Sequence, residues 1–142
     1  MSAEESPAVL RALVVEDEQG VRNLILAALR NEVFECDSAE DGEQAWQKIG
    51  AAHYDLVVTD LSMPRRNGHS LAVELLALAS PPVVVALTGI LEPRLAKDLI
   101  ARGIDDIVFK PVGFIPFAAK MRALVERKMA GNALAGTAKS ES

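Results

Sequence analysis

Apolar positions along this chain follow two rhythms that alternate from one end to the other. Short, nearly continuous runs lie at residues 9–15 (VLRALVV), 55–59 (DLVVT) and 83–87 (VVVAL). Their length and their Val and Leu content predict strands, and the unbroken runs predict burial on both faces. Weaker runs at 33–36 and 107–109 predict a second and a fifth strand. Between the runs, apolar residues recur at helical spacing. Val21, Leu24, Ile25, Ala28 and Leu29 predict an amphipathic helix over 18–31. The stretch DGEQAWQKIG from Asp41 predicts a short helix with Ala45, Trp46 and Ile49 inward and Gly50 as its stop. Leu71, Leu75 and Leu78 share one side of a helix over 67–79, punctuated by Pro81 and Pro82. A fourth helix over 92–102 ends at Gly103, and a fifth carries Phe117, Ala118, Met121, Leu124, Val125 and Lys128.

Five strands alternating with five helices imply an α/β fold, a parallel sheet covered by helices on both faces with right-handed crossovers. One domain is expected over 9–129, between polar, disordered tails at 1–8 and 130–142. Ligands of such sheets sit outside the carboxyl ends of the strands, so the polar residues there carry the functional question.

Composition narrows the answer. Half of the 142 residues are hydrophobic, but there is one Trp, one Tyr and four Phe, so the core is expected to be aliphatic. A net charge of −5 argues against a sequence-independent nucleic-acid footprint, which needs a basic surface. Cys36 is the only cysteine, which excludes an internal disulfide and a Cys-based metal site. The N-terminal MSAEESPAV lacks the basic and apolar regions of a secretory signal, and no apolar run approaches a membrane span. A cytoplasmic location is expected. The start Met and the polar end favour a stand-alone protein.

The predicted strand ends gather chemistry. Strand one ends in Glu16 and Asp17, strand three in Asp60, strand four in Thr88, and strand five in Lys110 before Pro111. A carboxylate after the apolar run LVVT is costly unless compensated. Three acids at one edge need a cation or strong pKa shifts, and a hard divalent ion such as Mg²⁺ suits oxygen ligands. Lys110 can pair with Asp60 or with an anion attached to it, and Thr88 can donate to a phosphoryl oxygen. Phosphoryl transfer needs positioning and charge neutralisation, and this set offers both, with Asp60 as the attacking carboxylate. Taken singly, each residue has a plainer reading. Asp60 is then a polar strand end, Glu16 and Asp17 an acidic helix start, Thr88 a capping hydroxyl and Lys110 a solvated loop charge.

Four motifs, in order, carry a family resemblance: VVEDE at 14–18, VVTDLSMPRRNG at 57–68, LTG at 87–89 and GIDDIVFKP at 103–111. Over roughly residues 9–129 the chain resembles the receiver domain of two-component response regulators. The resemblance implies a flavodoxin-like sheet of strand order 2-1-3-4-5. It implies that Asp60 accepts a phosphoryl group from a histidine kinase or histidine phosphotransfer protein. It also implies Mg²⁺ held by Asp17 and Asp60, by Glu16 through water and by the Ser62 backbone carbonyl, with Thr88 and Lys110 on the phosphoryl group. Signalling would pass through the face made by helix four, strand five and helix five, a face through which such domains also dimerise. Four positions depart from the family pattern. Glu16 stands where Asp is usual, Gly89 where Ala is common, Ile107 where many members carry a switch Tyr or Phe, and PVGFIPF opens the last helix.

Other residues read as structural. Asp105 and Asp106 suit a turn before strand five; His53 and His69 lack ligand spacing; Arg65 and Arg66 suit a solvated loop; Arg122, Arg127 and Lys128 suit the last helix's dipole. Two further function classes compete with the phosphoacceptor: a receiver-like module that binds partners without phosphate, and a flavin or nucleotide enzyme on the same sheet. The loop EDEQG lacks a Gly-rich phosphate fingerprint and a Walker pattern, which weighs against the enzyme.

Overall fold

The computed structural model describes residues 9–61, 68–89, 93–110 and 113–141. The 1–8 tail, Ser62, Arg65, Arg66, Asn67, Glu92 and Pro111, all invoked above, lie outside the described residues. The elements alternate as the apolar pattern predicts. In chain order they are β1 (Leu10–Val15), α1 (Gln19–Asn31), β2 (Phe34–Ala39), α2 (Gly42–Ala51) and β3 (Leu56–Asp60), then α3 (Gly68–Leu76), β4 (Val83–Thr88), α4 (Pro93–Ala101), β5 (Asp106–Phe109) and α5 (Phe114–Glu141). All pairings are parallel and the sheet order is β2-β1-β3-β4-β5, a doubly wound α/β sheet of flavodoxin-like topology.

The strand alternation sorts the core into two halves. Leu10, Ala12 and Val14 of β1, Leu56 and Val58 of β3, and Val83, Val85 and Leu87 of β4 point to α1 and α5. They meet Ile25 and Leu29 on one helix and Phe117, Met121 and Val125 on the other. The intervening residues Leu13, Val15, Val57, Val84 and Ala86 face Ala45, Leu71, Leu75 and Leu99 of α2, α3 and α4. Central strands β3 and β4 are buried along their whole length, whereas edge strand β5 is only half-buried.

Three local expectations shift. Leu24, assigned inward by spacing, is exposed, and Leu26 is buried in its place. At about 100° per residue the two flank the stripe centred on Ile25, and Leu26 lies on the shoulder that joins the α5 cluster. Leu78 lies past the end of α3 and is exposed. The last helix continues to Glu141, through most of the segment expected as a disordered tail. That segment, AGNALAGTAKSE, has no proline and is rich in Ala, the strongest helix former, so the turns of α5 propagate through it.

Candidate functional site

The site lies where β1, β3, β4 and β5 end. Register places Val15 beside Thr59, Asp60 beside Leu87, and Thr88 beside Phe109. The next residue out on β1 is Glu16, and the next on β5 is Lys110. Parallel strands in this register deliver Glu16, Asp60, Thr88 and Lys110 to one edge, as the sequence reading expects.

Glu16 is held at every polar atom. Its N–H donates to the Ala39 carbonyl at 3.0 Å, and its own carbonyl accepts from Arg22 Nη1 at 2.9 Å. Its Oε2 accepts from the Glu18 N–H at 3.2 Å, and its Oε1 from Lys110 Nζ at 2.9 Å. The same ammonium donates to Asp60 Oδ2 at 3.0 Å. Lys110 is itself anchored by its N–H, which donates to the Thr88 carbonyl at 2.8 Å. Glu16, Asp60 and Thr88 are buried, while Asp17 is exposed at the mouth. One carboxylate oxygen from each of Glu16, Asp17 and Asp60 lies within 4.8 Å of the others.

One ammonium cannot neutralise three acids at this spacing. Burial pushes the Glu16 carboxyl up to about 7; the Lys110 hydrogen bond opposes that rise and the Asp60 charge adds to it. Burial pulls the Lys110 ammonium down, but its bonds to Glu16 and Asp60 outweigh burial and hold it above its ordinary value. The donor set is all hard oxygen, and it fits a divalent cation that keeps part of its water shell.

Some contributors were not assigned from sequence. A Cβ on Gly68 would stand 1.8 Å from the Asp60 carbonyl oxygen and 2.9 Å from the Leu61 Cα. Only glycine lets the start of α3 rest on the Asp60 peptide. His69 follows it, and its Nε2 meets Asp98 Oδ2 on α4 at 2.8 Å. Asp98 is also held by Arg102 Nε, and these two partners keep its carboxyl below the usual range, Arg102 foremost. Glycine at the end of the NG motif was the available signal for the first; a pair 29 residues apart left none for the second. Asp105 is an exposed bend residue just before β5, as expected, and its Oδ2 ties that bend to β4 by accepting from the Val84 N–H at 2.8 Å. Ser62, expected to offer a carbonyl, lies outside the described residues.

The chain can now be set beside known proteins. A sequence model described as the response regulator receiver domain matches residues 12–122. The transcriptional regulatory protein CutR of Streptomyces coelicolor is 34% identical over 118 residues, which cover 83% of this chain and 54% of CutR. The two-component response regulator PhoP of Pseudomonas aeruginosa is 31% identical over 118 residues, 83% of this chain and 52% of PhoP. The chain thus spans about half the length of the curated relatives it matches. Among solved structures, a CheY-like receiver domain from Methanospirillum hungatei superposes with a TM-score of 0.82 at 19% identity, covering 87% of this chain and 99% of that one. The chemotaxis response regulator CheY4 of Vibrio cholerae gives 0.74 at 20% identity, covering 82% and 99%. These likenesses establish the fold, and the family match covers most of the chain. The protein belongs to the response regulator receiver domain family, a family of signalling domains of two-component systems.

Proposed function

We propose that this domain is a phosphoacceptor of a two-component or phosphorelay pathway, taking a phosphoryl group onto Asp60 from a phosphohistidine on a histidine kinase or phosphotransfer protein. One observation carries the reading. Lys110 Nζ bonds Glu16 and Asp60 at once, beside three carboxylate oxygens gathered within 4.8 Å. An acidic pocket with a single bridging ammonium would repel an anion by itself, and suits an incoming phosphoryl group once a divalent cation sits on the three carboxylates beside the ammonium.

In the transfer, an Asp60 carboxylate oxygen forms the new bond to phosphorus as the bond from phosphorus to the imidazole nitrogen breaks. The freed imidazole leaves with the bonding pair and takes a proton from solvent. Glu16, Asp17, Asp60 and the Ser62 carbonyl would hold Mg²⁺, which supplies neutralisation of the equatorial oxygens. Lys110 is placed to move its hydrogen bond from the Asp60 carboxylate to the phosphoryl oxygens, and the Thr88 hydroxyl to donate to them. Readout would run through α4, β5 and α5. Ile100, Phe109 and Ile115 are exposed there, and a cavity of about 380 Å³ opens over Ile107 between α4 and β5. The partners are proteins, including a second copy of this chain; neither nucleic acid nor membrane is a direct partner in this reading. Among the described residues, no helix is long and apolar enough to cross a membrane.

The experiment is intact mass after incubation with Mg²⁺ and a small acyl phosphate, in wild type and Asp60→Asn. A single acid-stable, base-labile adduct in wild type alone is expected. An adduct retained by the mutant would sink the assignment. A second reading, a phosphate-independent interaction module, draws on the Glu16–Lys110 pair, which occupies part of the cation site with an internal ammonium. It predicts no adduct and no Mg²⁺ binding in a folded sample.

A further inference from the structure

The Asp17 carboxylate is the one member of the acidic cluster whose aim has no side-chain support. It is exposed, and among the described residues it makes no hydrogen bond or ion pair. Its direction therefore depends on the backbone that carries it. The Glu16 carbonyl and the Asp17 N–H lie in one planar peptide unit. That unit is held by a side chain from the next element. Arg22, one turn into α1, donates Nη1 to the Glu16 carbonyl at 2.9 Å. The Arg22 side chain is only 12% exposed, so its guanidinium is largely removed from water. Its second contact, Nη2 to Glu40 Oε1 at 3.9 Å, reaches a carboxylate that is 63% exposed, a pair of little energetic weight. The buried end of the fork faces the peptide between two acids of the cluster, with a fixed positive charge beside them.

We propose that Arg22 is a positioning residue for the cation site: it fixes the Glu16–Asp17 peptide so that the Asp17 carboxylate meets those of Glu16 and Asp60. The inference rests on the reading of this edge as a cation-assisted phosphoacceptor. It adds a residue from α1 that touches neither the cation nor the phosphoryl group. A plain structural role for Arg22, tying α1 to β1, makes a different prediction, because it would change melting temperature and leave the affinity of the folded site alone.

The test is calorimetric titration of the full chain with MgCl₂, for wild type, Arg22→Ala, Arg22→Lys and Glu40→Ala, with melting temperature measured on each. Arg22→Ala is expected to weaken Mg²⁺ binding by about tenfold, the scale of lost support behind a ligand. Arg22→Lys should recover part of that loss, since it keeps the charge and loses the fork. Glu40→Ala should bind like wild type. With the acyl phosphate donor, the Mg²⁺ concentration for half-maximal phosphorylation should rise in Arg22→Ala while the rate at saturating Mg²⁺ stays that of wild type. An Arg22→Ala affinity within about twofold of wild type overturns the inference and leaves the phosphoacceptor reading standing. If that variant fails to fold, Arg22→Gln, which keeps two of the three stem methylenes and drops the charged fork, replaces it under the same criterion. Wild type that binds no Mg²⁺ overturns both.

Discussion

At the basal half of the sheet, acids are only partly buried and are well matched. Asp37 Oδ2 accepts from the Tyr54 hydroxyl at 2.7 Å and from Arg11 Nη2 at 3.1 Å, and the Arg11 guanidinium lies 5.4 Å from the Tyr54 ring centre. Asp55 Oδ2 accepts from the Arg11 N–H. The Tyr54 bond foremost, then the Arg11 charge, keeps the Asp37 carboxyl below its ordinary value. At the apical edge the same fold does the reverse. Glu16 and Asp60 are buried around one shared ammonium, and the Glu16 carboxyl is driven up to about 7. A compensated acid stabilises the fold; an undercompensated one strains it and leaves a place for a cation. The difference marks function more sharply than acidity alone, since both edges hold acids.

The largest break in this contrast is steric. Gly68→Ala puts a methyl group against the Asp60 carbonyl, where a Cβ would stand 1.8 Å from the oxygen. Relief requires backbone movement, with an expected cost of about 3 kcal/mol or more, seen as a fall of roughly 10 °C in Tm. An unchanged Tm would show that α3 does not rest on the Asp60 peptide.

Next is Glu16→Gln, where the sign differs between the two edges. A carboxyl whose folded pKa is raised adds stability that is complete below its unfolded value of 4.5 and is lost as pH climbs through about 7. Metal-free wild type should therefore weaken from about pH 5 to pH 8 by roughly 2 kcal/mol, and Glu16→Gln should flatten that slope. Mg²⁺ should restore wild-type stability at the alkaline end and do little for the mutant. Denaturant titrations at both pH values, with and without Mg²⁺, check it, and a slope that survives in Glu16→Gln would assign it elsewhere.

Smallest is Tyr54→Phe at the basal edge. It removes one hydrogen bond from Asp37, which keeps Arg11, so the cost should be about 1 kcal/mol. Asp37 has a lowered pKa, so its contribution is present above its unfolded value and lost as pH falls through the acid range. The stability lost in the variant should shrink below about pH 4, the opposite trend to Glu16. A loss that stays constant with pH would separate the Tyr54 hydroxyl from the Asp37 charge.

Much of this arrangement was legible beforehand. Strand and helix order followed from apolar rhythm, because buried strands such as VVVAL tolerate no polar interruption. Glu16, Asp17, Asp60, Thr88 and Lys110 could be grouped because parallel order alone brings strand ends together. What stayed hidden depended on distance and facing. Leu24 and Leu26 sit symmetrically about their helix stripe, so periodicity could not choose between them. Arg22 reaches the Glu16 carbonyl by its side chain, and backbone acceptors have no signature in sequence. His69 and Asp98 meet only because α3 and α4 lie side by side.

One feature of the sheet bears on timing. The ammonium that bridges Glu16 and Asp60 follows directly on β5, an edge strand of four residues with no fully buried position. Strands β3 and β4 are sealed on both faces. Breathing of the sheet should therefore begin at β5, and amide hydrogens there should exchange with solvent while those of β3 stay protected. Each such opening withdraws Lys110 from the acids. The steadiness of the ammonium between Glu16 and Asp60 is then set by how often a short, half-wetted strand lets go, and packing along β5 adjusts it without touching the acids.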